Sequence, residues 1–142
     1  MIRELQEKDL ERAMEIWLDT NMKAHGFISS QYWKDHAKTV REMIPRAEVY
    51  VYEEEGGGSI LGFIGMSGEY IAGIFVCEKR QRSGIGRQLI EFAKTLKGKL
   101  TLNVYEKNHR AVKFYTGQNF QIVTVDYDKD TGEKEYFMKW ER

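Results

Sequence analysis

The segment from Ile74 to Arg87 constrains this chain more than any other. An apolar run rich in β-branched residues, Ile74-Phe75-Val76, gives way to a polar turn and then to Gln81-Arg82-Ser83-Gly84-Ile85-Gly86-Arg87. Apolar residues recur downstream at Ile85, Leu89, Ala93 and Leu96, the spacing of one helix face. The pattern predicts a strand, a short loop and a helix. At such a junction, unpaired backbone N–H groups and the positive end of the helix macrodipole converge on whatever occupies the loop. Glycine at 84 and 86 keeps those N–H groups open, because a side chain would hold a phosphate away from them. Arg82 and Arg87 add positive charge at the mouth. An ordinary tight strand-to-helix turn has the same outline, so the loop alone leaves both readings open.

The better-known phosphate motifs do not fit. A dinucleotide fingerprint needs a third glycine where Leu89 stands and a carboxylate closing a second strand about 20 residues on. A nucleoside-triphosphate loop needs Gly-Lys-Ser/Thr, which is absent. What remains is Gln-x-x-Gly-x-Gly. Downstream, Leu100-Thr101-Leu102-Asn103-Val104 reads as a short strand. Asn108 then caps a helix on which Ala111, Phe114 and Tyr115 share a face, and Phe120 opens another strand. Together, Gln81–Gly86 and the Asn108–Phe120 segment resemble two motifs of the GNAT superfamily of acetyl-CoA-dependent N-acetyltransferases. These are its pyrophosphate loop and its Asn-x-x-Ala-x-x-Phe-Tyr-x-x-x-Gly-Phe segment. The chain departs from the pattern once, with Asn119 in the glycine position. Asparagine is the next-best residue for a left-handed helix terminator.

Composition narrows the partners. Acidic and basic residues balance at 22 each, so no net basic field attracts nucleic acid or an anionic membrane. The single cysteine, Cys77, excludes an intramolecular disulfide and fits a reducing, cytoplasmic compartment. Three scattered histidines offer no metal-ligand cluster, and no apolar run approaches a membrane span. The length of 142 residues suits one domain over 1–142, as a monomer or a homodimer.

Along the chain, Ile2–Leu5 reads as a strand and Asp9 as the cap of a helix with Leu10, Met14, Trp17 and Leu18 facing inward. Ser29 or Ser30 caps a second helix that Pro45 interrupts. Val49–Tyr52 and Ile60–Ile64 flank a polar hairpin whose acidic triplet, Glu53–Glu55, reads as a solvated tip. Tyr70–Val76 follows, and two further strands, Phe120–Tyr127 and Lys134–Trp140, close the chain as a hairpin. The order β-α-α-β-β-β-α-β-α-β-β is the one the resemblance implies. It implies an α/β (in some schemes α+β) GNAT fold, a mixed sheet of about seven strands with about four helices and splayed central strands.

The resemblance also implies the site. Acetyl-CoA is held by Ile74, Phe75 and Val76, by Gln81, Arg82, Ser83, Gly84, Ile85, Gly86 and Arg87, and by Asn108 and Ala111. Its pantetheine arm lies strand-like between the splayed strands. Gly73 suits a bulge there, or simply relieves packing. A backbone N–H near Phe75 polarises the thioester carbonyl. Tyr115 matches the family's general acid, a phenol still protonated at neutral pH, and a core aromatic would look the same. The acceptor amine must be neutral to attack, which makes Glu69 and His25 the candidate bases. A histidine beside aromatics also serves as packing or as an N–H donor. His25, Phe27, Tyr32 and Trp33 form an aromatic join expected to wall the acceptor pocket, while His36 and His109 read as surface residues. The resemblance to small single-domain bacterial members points to a protein lysine or N-terminal amine. A small amine, or a silent acyl-CoA sensor, stands as the alternative. No metal is implied.

Overall fold

A computed structural model describes residues 1–142. Its strands and helices run β1 (Ile2–Glu4), α1 (Leu10–Ala24), α2 (Ser30–Met43), β2 (Glu48–Glu53), β3 (Ile60–Ser67), β4 (Tyr70–Val76), α3 (Ile85–Leu96), β5 (Lys99–Tyr105), α4 (His109–Gly117), β6 (Gln121–Tyr127) and β7 (Lys134–Glu141). The seven strands form one sheet in the order β1-β2-β3-β4-β5-β7-β6. Every neighbouring pair is antiparallel except β4 and β5. This is the mixed α/β architecture that the resemblance implies. No helix is long and apolar enough to cross a membrane.

Alternation along the strands divides the core between the two faces of the sheet. On one face Leu100, Leu102 and Val104 of β5 pack with Leu89, Ile90 and Ala93 of α3 and with Tyr115 of α4. On the other, Val49 and Val51 of β2 pack with Ala13, Ile16 and Trp17 of α1 and with Trp33 of α2.

The parallel junction makes the site. β4 and β5 pair only at Tyr70↔Thr101 and Ile71↔Leu102, although each strand has seven residues. Between β3 and β4 the register passes from Met66↔Ile71 to Gly65↔Gly73, which leaves Ala72 as an extra residue on β4. Such a bulge bends its strand, and β4 swings away from β5 beyond it. Gly73 makes room there for the Phe75 ring, which a Cβ would approach to 2.3 Å. The backbone edge of β4 that would have faced β5 is left open.

Two local expectations need correction. Asp9 does not cap α1, because a 3-10 turn over Glu7–Asp9 leads directly into the helix. Its carboxylate instead takes two bonds from Arg3, at 2.7 and 3.1 Å, and one from the Gln6 amide at 2.8 Å. Arg3 holds that carboxyl below the usual range. Glu53 is not a solvated tip residue either, since it pairs with Arg3 at 2.5 Å. Elsewhere the capping chemistry follows the sequence. The Ser29 hydroxyl accepts from the Gln31 amide, and α2 ends ahead of Pro45.

Candidate active site

Beyond Ile71 the gap between β4 and β5 opens into a cleft of about 1000 Å³. Its walls are Ile74, Phe75 and Val76 of β4, the loop before α3, the start of α4, and the last turn of α1. Two contacts attach α1 across the opening. Lys23 pairs with Glu78 at 2.5 Å, and His25 Nε2 lies 3.2 Å from Asn108 Nδ2.

The loop before α3 turns its amides and two arginines toward the cleft. Gly84 sits at φ 90° and Arg82 at φ 66°, two left-handed residues that turn the backbone into α3. The first helical bond runs from Gln88 N to Gly84 O, so the preceding amides of the first turn have no partner within the helix. Arg82, Gly84, Gly86 and Arg87 line the cleft. Gln81 has a bracing role: its amide donates to Val76 O at 3.0 Å and accepts from Arg110 at 3.3 Å, tying β4 to α4. Two predicted members lie elsewhere. Ile85 is buried in the core, and the Ser83 hydroxyl turns back to Arg80 O.

Asn108 caps α4 as its spacing predicts, its Oδ1 accepting from the Ala111 amide at 3.3 Å. Both residues line the cleft. Farther along α4, Tyr115 reaches the same cleft with only 8% of its surface exposed. Burial raises its phenol well above the ordinary range, and the neighbouring Tyr70 phenol adds to the effect. The Tyr115 proton is therefore firmly held at neutral pH.

Of the two candidate bases, only His25 reaches the cleft. Its ring stacks on Trp33 at 5.1 Å and meets Phe27 and Tyr105 edge-on at 5.7 and 5.2 Å. Burial pushes its pKa down to about 4, opposed weakly by the Asn21 backbone. Glu69 is not brought to the cleft. It is exposed in the turn before β4, at the end where β4 and β5 are still paired, and its carbonyl accepts from Thr101 N at 2.9 Å.

Phe27 and Trp33 pack on His25, Tyr32 packs on Trp33, and none of the three lines the cleft. Burial raises the Tyr32 phenol, and Asp128 and Asp130 of the β6–β7 turn add to the effect. His109 is exposed, whereas His36 is half-buried with Nδ1 2.6 Å from Tyr32 O.

Sequence reasoning missed Thr20, Asn21 and Lys23 of α1, Glu78, and the flanking Lys107 and Arg110. A signal was present for two of them. Thr20 and Asn21 continue the inward stripe of Ala13, Ile16 and Trp17, and both are buried. They satisfy themselves on the helix, the Thr20 hydroxyl bonding Ile16 O at 2.7 Å and the Asn21 amide bonding Trp17 O at 2.9 Å. Polar residues on an otherwise apolar face mark where that face leaves the core for the cleft.

The bulge-opened β4–β5 pair and the α3 N-terminus at its mouth thus enclose one cleft. Residues 45–122 match the acetyltransferase (GNAT) domain family, and this chain belongs to it. It is similar to the peptidyl-lysine N-acetyltransferase YiaC of Escherichia coli K12, with 37% identity over 99% of this chain and 96% of that one. It is also similar to the peptidyl-lysine N-acetyltransferase YjaB of the same organism, at 30% over 92% of this chain and 88% of that one. The solution structure of apo YjaB superimposes with a TM-score of 0.88 and 27% identity, covering 99% of this chain and 96% of that one. A Bacillus anthracis protein solved in complex with acetyl coenzyme A shares the fold at a TM-score of 0.61 and 23% identity. That match covers 68% of this chain and 62% of that one. The chain is an acetyl-transferring enzyme.

Proposed function

We propose that the enzyme transfers the acetyl group of acetyl-CoA to a lysine side chain of a protein, by direct attack within a ternary complex. The observation that carries this reading is the two-pair ladder between β4 and β5. It leaves an open β4 edge that a pantetheine arm can pair with as a strand does. The cradle at Gly84–Arg87 lies at the mouth of the same gap and suits the pyrophosphate.

In the reaction the neutral amine attacks the thioester carbonyl carbon, and an N–H of β4 near Phe75 stabilises the developing oxyanion. As the C–S bond breaks, Tyr115 gives its proton to the departing sulfur. The proton lost by the new amide nitrogen passes to water and restores the phenol. Because Tyr115 is buried, the thiolate would otherwise leave into a poorly solvated wall, so a positioned donor lowers the barrier there. Cys77 does not line the cleft, which supports direct transfer over an acyl-enzyme route. The lysine acceptor rests on the similarity to the two E. coli peptidyl-lysine enzymes.

The test pairs acetyl-CoA with a lysine peptide whose α-amine is blocked and follows free thiol and peptide mass. Thiol release that requires the peptide, with one acetyl group gained on the lysine, is expected. Thiol release with spermidine or an amino acid but not with the peptide would overturn the acceptor assignment.

A further inference from the structure

We infer that His25 is a positioning residue that acts through Asn108 on Tyr115, with its Nε2 lone pair holding the Asn108 amide. The inference rests on the assignment of Tyr115 as proton donor proposed above.

The hydrogen atoms can be assigned from the bonding. The Ala111 N–H needs an acceptor, so the oxygen of the Asn108 amide must face α4, at 3.3 Å. That leaves Asn108 Nδ2, a pure donor, facing His25 Nε2 at 3.2 Å. Nε2 must then carry the lone pair and Nδ1 the hydrogen. Nδ1 is buried without a well-formed hydrogen bond, with the Asn21 backbone beside it. The one basic lone pair of the ring is thus already engaged by Asn108 and is not free to take a proton from an incoming amine.

The consequence passes along α4. Asn108 and Tyr115 stand about two helical turns apart on one face, both lining the cleft. The cap fixes where the helix begins, and with it the aim of the Tyr115 hydroxyl. Stacking on Trp33 and edge contacts with Phe27 and Tyr105 hold the imidazole so that the aim is reproducible. The aromatic join accordingly serves the donor as well as any acceptor wall.

The test uses three substitutions and one spectrum. His25→Phe keeps the ring and deletes the acceptor, and kcat should fall on the order of tenfold, the scale of one hydrogen bond. His25→Gln places an amide oxygen near the Nε2 position and should restore kcat to within about threefold. A general base predicts the opposite, because glutamine cannot accept the proton and would remain as impaired as phenylalanine. Tyr115→Phe combined with His25→Phe should be no slower than Tyr115→Phe alone, since the two act on one step. Multiplicative losses would overturn the inference. Full activity of Tyr115→Phe by itself would instead remove the donor assignment on which it rests. Independently of activity, ¹⁵N spectra of the imidazole should show the Nδ1–H tautomer, and an Nε2–H tautomer would refute it.

Discussion

Gly86→Ala should raise the stability of the protein and weaken its grip on CoA, and the two effects have separate structural origins. Gly86 lies in the first turn of α3, and its backbone is not in the left-handed region. A Cβ built there meets the Phe114 ring at 3.5 and 3.6 Å and Val76 Cγ2 at 3.9 Å, all ordinary contacts. Alanine therefore fits without displacement and lowers the entropy of the unfolded chain, a gain of about 0.5 kcal/mol in a helix's first turn. That corresponds to a rise in Tm of roughly 1–3 °C for a chain of this size. The same methyl, however, occupies cleft floor between Val76, Phe114 and the α3 N-terminus. A phosphate lifted off the first-turn amides would lose at least one charge-assisted bond, worth about 1.5–3 kcal/mol, so Kd for CoA should rise roughly 10- to 150-fold. Thermal melts and titration calorimetry on the same preparation read both quantities. Unchanged affinity with a raised Tm would show that the loop does not hold the phosphates. A lowered Tm would show that the methyl does not fit as its contacts imply.

Other predictions follow from the same geometry. Gly84→Asp places a carboxylate in the cradle and forces a side chain onto a φ of 90°, so calorimetry should register almost no heat with CoA, and Tm should fall by a few degrees. His25 has an ordinary pKa of 6.5 and a folded value of about 4. The unfolded chain therefore binds the extra proton between those values, and the stability contributed by the neutral ring is lost as pH falls from 6.5 towards 4. Allowing for residual solvent contact, the loss is about 2 kcal/mol. It should be seen as a fall in the urea midpoint of the native protein relative to that of His25→Phe over that window. A constant difference would mean that the imidazole titrates normally.

Much of the fold can be read from the chain because its local signals agree with one another. Asn108 caps α4, Asn119 takes the left-handed φ of 71° where the family carries glycine, and the Gln81–Arg87 loop sits between β4 and α3 as the apolar spacing requires. What could not be read depends on pairing across the sheet. The bulge at Ala72 is a mismatch between β3 and β4, which Gly73 permits but does not by itself specify, and it decides where β4 and β5 part. Glu69 stood as a candidate base because it lies near the central strand in sequence. Only the register shows that it sits at the closed end of the junction. Glu53 reads locally as a tip residue, and only the fold brings it to Arg3, 50 positions away, whose guanidinium also holds Asp9. Nothing in the sequence around His25 reveals a partner 83 positions away at Asn108. Residues whose roles are set by a neighbour along the chain were legible, and those set by a neighbour across the fold were not.

The most direct test of the account is the kinetic behaviour of Tyr115→Phe. The substitution keeps the buried ring and its packing against Phe114 and Phe120 and removes only the hydroxyl that reaches the cleft. Single-turnover acetyl transfer should slow by about 10²–10⁴ while the Kd for acetyl-CoA stays within a factor of about two. A variant that transfers acetyl at the native rate would contradict the assignment of Tyr115 as the proton donor to the departing thiolate.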